Sequence, residues 1–181
     1  MMSQAAREMA DRLHMLSEGR ATTVGLMVPV AFGKKTPMVP LKDGKWTEAA
    51  SRQWFEEHGL SQKYDLGMVL IGLLVVDFDE RRLYDVWVAD HPELENAPTE
   101  RTKNGMHVYF LRCRAIEEAA LKSGPMKDPT TRKRINIDLR MGGFVVCAPS
   151  TGKEWLPGRS LLEMDTPTMS AGLLKKLIDH M

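Results

Sequence analysis

Apolar positions along the chain recur with two different periods. Ala6, Met9, Ala10, Leu13 and Leu16 fall at helical spacing behind Ser3, which can cap a helix, and the pattern stops near Gly19. Val24 to Phe32 is apolar and β-branched, which predicts a strand running into the basic loop Gly33-Lys34-Lys35-Thr36-Pro37. Thr47 can cap a second helix, with Ala50, Trp54 and Phe55 inward and an end at Gly59. In the most apolar stretch, Leu66 to Ile71 and Leu73 to Val76 flank Gly72. This predicts two buried strands with a turn or bulge at that glycine, the second ending in Asp77-Phe78-Asp79. Glu80 to Asp90 reads as a helix with Leu83, Val86 and Trp87 on one face, and Pro92 and Pro98 mark a loop. Met106 to Arg112 predicts a strand, Ile116 to Lys122 a short helix, and Gly124 to Thr131 a polar loop with two prolines. Strands over Ile135 to Leu139 and Phe144 to Ala148 flank a Gly142-Gly143 turn. Ser170 to His180 closes the chain as an amphipathic helix with Leu173, Leu174 and Leu177 inward. Strands and helices mix without a strict βαβ repeat, so the expected class is α+β, a sheet covered by helices.

The 181 residues suit one domain or one domain with a small appendage, and 43% hydrophobic with 27% charged residues is an ordinary globular balance. A formal net charge of +1 excludes a globally basic nucleic-acid binder. A polynucleotide surface would have to be local, and the candidates are Lys34-Lys35, Arg112 with Arg114, and Arg132-Lys133-Arg134. Each of these runs is equally suited to a solvated loop or strand end. Cys113 and Cys147 stand in apolar or alternating stretches and read as small buried hydrophobes of a reducing compartment, which predicts a cytoplasmic protein. The charged first segment lacks a signal-peptide core, and no run is long enough to span a bilayer.

The candidate chemistry begins with carboxylates. Asp77 and Asp79 stand two apart on a strand, so they share a face while Phe78 takes the other. Paired carboxylates repel unless solvent or a divalent cation lies between them. A strand ending in solvated acids, with Asp79 capping the next helix, gives the same pattern. Asp138 adds to the metal reading: in Ile135-Asn136-Ile137-Asp138-Leu139 the apolar residues share one face and Asn136 and Asp138 the other. A third carboxylate from a neighbouring strand could complete a site for two metals about 4 Å apart, activating an attacking 3′-hydroxyl and stabilising the leaving pyrophosphate. Gly105 permits close backbone approach to a ligand. His107, alternating with Met106 and Val108, projects from a polar face where an imidazole donor could hold a nucleoside triphosphate, though a structural hydrogen bond serves equally.

Taken in order, these segments resemble the archaeo-eukaryotic primase superfamily, in its branch of bifunctional DNA primase-polymerases from plasmids, phages and prophages. Lys35-Thr36-Pro37 resembles that family's basic Lys-x-Pro loop, with Trp46 after it, and Val75-Val76-Asp77-Phe78-Asp79 resembles its acidic strand end. Thr102 and Asn104-Gly105-Met106-His107-Val108-Tyr109-Phe110 resemble its Gly-Gly-x-His-x-Tyr-Phe segment, with Asn104 in place of the first glycine. Asp138-Leu139-Arg140, Gly142-Gly143, Phe144-Val145-Val146 and Pro149-Ser150 follow in the family's order, with Ala148 in place of its usual second proline. The resemblance covers roughly residues 20 to 155.

It implies that Asp77, Asp79 and Asp138 bind Mg2+ or Mn2+ and carry catalysis. It also implies that His107 and Gly105 meet the incoming nucleotide, with Arg140 and Lys35 as phosphate or template contacts. The implied fold is an RRM-like catalytic sheet beside a small N-terminal α/β unit. The expected boundaries are 1–65 for that unit, 66–155 for the catalytic part and 156–181 for a helical tail. The implied activity is nucleotidyl transfer from NTP or dNTP on single-stranded DNA, in replication of a phage, plasmid or other mobile element. Larger relatives carry a helicase or priming region after this domain, so a separate helicase or accessory subunit is an expected partner for de novo priming. The competing reading is a non-catalytic single-strand-binding replication module on the same fold, which would need exposed sheet aromatics. A replication-initiator nuclease would need a His-x-His pair that the sequence lacks.

Overall fold

The computed structural model describes residues 2–20, 23–42, 44–58, 63–114, 116, 123–128 and 130–179. The elements run α1 (Met2–Ser17), β1 (Gly25–Ala31), α2 (Glu48–His58), β2 (Tyr64–Leu70), β3 (Leu73–Phe78), α3 (Arg81–Asp90), a 3-10 turn (Pro92–Asn96), β4 (Thr99–Arg101), β5 (Met106–Leu111), β6 (Gly124–Lys127), β7 (Arg134–Arg140), β8 (Phe144–Cys147), β9 (Glu154–Trp155) and α4 (Ala171–Asp179). The class is α+β, and the described residues form two antiparallel sheets and four α-helices. Among the described residues no helix is long and apolar enough to cross a membrane.

The chain forms two compact units, residues 1–72 with 143–154 and residues 73–142 with 155–181. They interleave, whereas the expected boundaries at 65/66 and 155/156 cut the chain consecutively. Strand β8, expected in the catalytic part, pairs with β2 in the first unit. A strand belongs to the sheet that supplies its hydrogen bonds, and chain order alone does not reveal that partner.

In the first unit the sheet order is β1-β2-β8. Helix α1 begins at Met2, so Ser3 lies inside it rather than at its cap. Ala6, Met9, Ala10 and Leu13 are buried as their spacing predicts. Thr47 Oγ1 accepts from the Ala50 N–H and caps α2, which buries Ser51 and Phe55. Asp65, only 2% exposed, accepts from the Gly33 N–H and from the N–H and hydroxyl of Thr151. One buried carboxylate thus ties the basic turn after β1 to the turn after β8.

In the second unit the order is β6-β7-β3-β5-β4-β9. Four of its six strands, β3, β4, β5 and β7, numbered by appearance, lie in the antiparallel order 4-1-3-2, the order expected of an RRM-like sheet. Leu74, Val76 and Phe78 of β3 join Met106, Val108 and Phe110 of β5 and Ile137 and Leu139 of β7 in one core. Tyr84 and Trp87 of α3 and Leu173, Leu174 and Leu177 of α4 complete it. With one face of the sheet committed to this core, alternation sends the intervening residues to the other face. Ser170 Oγ accepts from the Leu173 N–H and caps α4.

Two segments correct the sequence reading. The polar loop expected over Gly124 to Thr131 begins as strand β6, paired with β7 through Gly124↔Leu139 and Pro125↔Asp138. Gly and Pro argue against a strand interior, but β6 is a sheet edge, where proline leaves no ladder bond unmade, and Met126 is fully buried. Strand β4 lies in the stretch read as loop after Pro98. The helix expected over Ile116 to Lys122 lies outside the described residues apart from Ile116, and His180 does also.

Candidate active site

Register builds the site. Asp77 on β3 is the Cα partner of Asp138 on β7 and of His107 on β5, and His107 is in turn the partner of Glu100 on β4. One row across four neighbouring strands therefore reads Asp138, Asp77, His107, Glu100. Asp138, Asp77 and His107 alternate away from the core residues on either side of them. Asp79 follows the end of β3 and its N–H donates to the Asn136 carbonyl at 3.0 Å. Asn136 holds φ at +57°, a left-handed conformation that asparagine tolerates better than most residues.

Gly105 sits beside that strand end. A Cβ built on it would lie 1.8 Å from the Phe78 carbonyl oxygen and 2.8 Å from the Asp79 carbonyl carbon. The close approach expected of this glycine is thus made to the backbone of the acidic strand end. The Gly105 N–H donates to Thr102 Oγ1 at 3.0 Å and its carbonyl accepts from the Thr102 N–H, which closes the turn.

Arginines lie between the acids. Arg140 reaches Asp77 Oδ2 at 3.2 Å and Asp138 Oδ2 at 2.8 Å. Arg134 reaches Asp138 Oδ1 at 3.2 Å and Asp79 Oδ2 at 3.3 Å. His107 Nε2 lies 3.2 Å from Asp77 Oδ1, and its Nδ1 lies 2.7 Å from Glu100 Oε1, which also accepts from the Tyr109 hydroxyl at 3.0 Å. Burial disfavours the charged form of Asp77. The hydrogen bond and charge of His107, then Arg140, outweigh it and hold this carboxyl below the usual aspartate range. For Asp79, burial and then the charges of Asp77 and Asp138 push the carboxyl above its usual range, against Arg134 and Arg140.

Asp77, Asp138 and His107 are therefore direct neighbours, with Arg140 bridging the two acids, and Asp79 and Gly105 stand at the strand end. Lys35 belongs to the other unit, on the exposed turn after β1. The N-cap of α3 is Glu80, so Asp79 does not cap that helix. Sequence reasoning missed Glu100, hidden in a short strand directly after Pro98, and the part played by Arg134, which stood only in a basic run. The one available signal for Glu100 was its position two residues before Thr102 at the start of the His107 segment.

Among the described residues no group of three or more His, Cys, Asp or Glu side chains is gathered closely enough to hold a metal ion. Guanidinium nitrogens take the places between the acids. The donor chemistry nonetheless suits a hard divalent cation. All three acids offer oxygen, and the Asp79 carboxyl, raised first by burial and then by the charges of Asp77 and Asp138, stands beside like charges that a cation would offset.

Comparison with curated proteins finds no match. A family model described as bifunctional DNA primase/polymerase, N-terminal, matches residues 21–168. That span takes in the basic turn, the acidic strand end, the His107 strand and Asp138, so this chain belongs to the family of bifunctional DNA primase/polymerase N-terminal domains, a nucleotidyltransferase family.

Proposed function

We propose that this domain transfers nucleotides from NTP or dNTP to a primer or initiating nucleotide on single-stranded DNA, in replication of a phage, plasmid or other mobile element. The observation that carries this reading is the row Asp138, Asp77, His107 on three adjacent strands, with Asp79 beyond its end. Asp77, Asp79 and Asp138 would hold Mg2+ or Mn2+, which when bound supplies the charge that activates a 3′-hydroxyl and neutralises a departing pyrophosphate.

The chain's own residues do the rest. His107, beside Asp77, would hold the incoming triphosphate. Gly105 keeps Asp79 at its station by packing on the strand-end backbone. Arg140, 43% exposed and shared by two acids, would turn to a phosphate once another cation neutralises them. Lys35, exposed on its turn, would meet the phosphates of template or nucleotide. De novo priming would draw on a separate helicase or accessory subunit. A purely binding module is disfavoured, because Tyr109 and Phe110 are 0% and 1% exposed and offer no base a stacking surface.

The test is extension of a labelled primer on a single-stranded template with NTP or dNTP and Mg2+ or Mn2+, comparing wild type with Asp79→Ala. Extension by the wild type alone is expected. Equal extension by both proteins removes Asp79 from the chemistry. Tight single-strand binding without extension by either favours the binding module.

A further inference from the structure

Glu100 is a carboxylate with no solvent exposure, held in a three-residue edge-proximal strand. Burying such a group costs several kcal/mol unless hydrogen bonds offset it, so a chain keeps one only where its bonds matter. Both of its described side-chain donors meet the same oxygen. The Nδ1–H of His107 donates to Oε1 at 2.7 Å and the Tyr109 hydroxyl at 3.0 Å. A carboxylate can only accept, so the bond assigns a hydrogen to Nδ1 and fixes which edge of the imidazole faces away. That far edge is Nε2, 3.2 Å from Asp77 Oδ1, and it can serve Asp77 or a phosphate, both acceptors, only when it carries a hydrogen as well. The ring is itself nearly buried, at 7% exposure, and Tyr109 packs edge-on against it with centroids 6.4 Å apart.

We propose that Glu100 is the positioning residue of this site, holding His107 through Nδ1 so that Nε2 is presented beside Asp77 to the phosphates of the incoming nucleotide. This rests on the nucleotidyl-transfer reading above and assigns no direct substrate contact to Glu100. The arrangement is the one used for metal-bound histidines, whose second nitrogen is pinned by a carboxylate that sets the ring's orientation. Here it is applied to a histidine held ready for phosphate. The neighbouring strand supplies the pin through register, since Glu100 and His107 are Cα partners.

The test compares Glu100→Gln, whose carbonyl can still accept from Nδ1–H, with Glu100→Leu, which fills the same volume and cannot. Long-range 1H–15N spectra of histidine-labelled protein, with His107 assigned through His107→Gln, read the ring directly and need no activity. Steady-state primer extension then reads the nucleotide. Wild type and Glu100→Gln should share one His107 pattern and a similar KM for nucleotide. Glu100→Leu should change the pattern and raise KM about tenfold, with a smaller change in kcat. A role in stability alone would lower Tm and the active fraction while leaving KM unchanged and giving the Gln variant no KM advantage over Leu. An unchanged His107 pattern or an unchanged KM in a folded Glu100→Leu overturns the proposal. A wild type that transfers no nucleotide while the pattern still responds overturns the transfer reading instead.

Discussion

Replacing Gly105 by alanine tests whether the strand end that carries Asp79 is held by backbone packing. The added methyl would lie 1.8 Å from the Phe78 carbonyl oxygen, about half an ordinary carbon–oxygen separation, and 2.8 Å from two further backbone carbons. No side chain can swing aside to make room, because every atom met is main chain. Overpacking in a filled core costs about 1–3 kcal/mol where side chains can adjust, so a clash with fixed backbone should cost at least about 3 kcal/mol. For a chain of this size that lowers Tm by roughly 6–12 °C. The relaxation must separate the Thr102–Gly105 turn from the end of β3. Asp79 would then leave its station against the Asn136 carbonyl, while Asp77 and His107 stay paired within the sheet. Primer extension should therefore fall by far more than the loss of folded protein explains. Thermal unfolding followed by circular dichroism gives the first quantity, and extension at a temperature where the variant remains folded gives the second. Wild-type Tm together with wild-type extension would refute the packing argument outright.

Other outcomes follow from the charges. Asp79→Asn removes a carboxylate whose ionised form the fold disfavours, so at neutral pH the metal-free variant should unfold at or above the wild-type temperature while losing extension. Asp77 behaves oppositely. Its folded value is depressed, so its contribution is present above the unfolded carboxylate's range and lost as pH falls through the folded value. The stability gap between wild type and Asp77→Asn, followed by denaturant titration, should shrink below about pH 4. Asp65→Ala removes the buried acceptor shared by the solvent-exposed Gly33 and Thr151, whose donors water can then satisfy, so the cost should be about 1 kcal/mol per hydrogen bond lost. Amide exchange at those two residues should accelerate, and unchanged protection would mean that the basic turn holds itself.

Much of the second unit was legible because its strands alternate cleanly. Ile137 and Leu139 announce the core, and Asp138 between them must face the other way. The same rule puts Asp77 and His107 on the polar side. What a single strand cannot state is its partner. That Asp138, Asp77 and His107 fall in one row is a fact of register between segments tens of residues apart. Leu66 to Ile71 and Leu73 to Val76 look alike and adjoin, yet they join different sheets, each choosing the partner that buries it. Strand β6 was hidden by Gly124 and Pro125, which an edge tolerates, and Glu100 by a strand too short to show any period. Arg134 looked like one member of a solvated run, because its partner Asp79 approaches only once β7 pairs with β3, while its other partner, Asp138, lies on β7 itself.

The distances divide the site into a fixed half and an exchangeable half. Glu100 is fully buried and His107 nearly so. Their 2.7 Å bond cannot be replaced by water without opening the sheet, and breaking it would leave a buried carboxylate without that donor. The arginines are different. Arg134 is 53% exposed and Arg140 43%, but Asp77 and Asp138 are only 15% and 10% exposed, so only the Arg134–Asp79 pair is exposed on both sides and contributes about 0–1 kcal/mol. The Arg134–Asp79 end is therefore the weakly held one, and there burial and then the charges of Asp77 and Asp138 keep the Asp79 carboxyl raised. A doubly charged ion with oxygen ligands competes against contacts of that strength on favourable terms, whereas it gains nothing by displacing His107. Exchange should accordingly begin at the Asp79 end, where solvent already reaches, and leave the Glu100–His107–Asp77 arm as the frame against which a triphosphate is aligned.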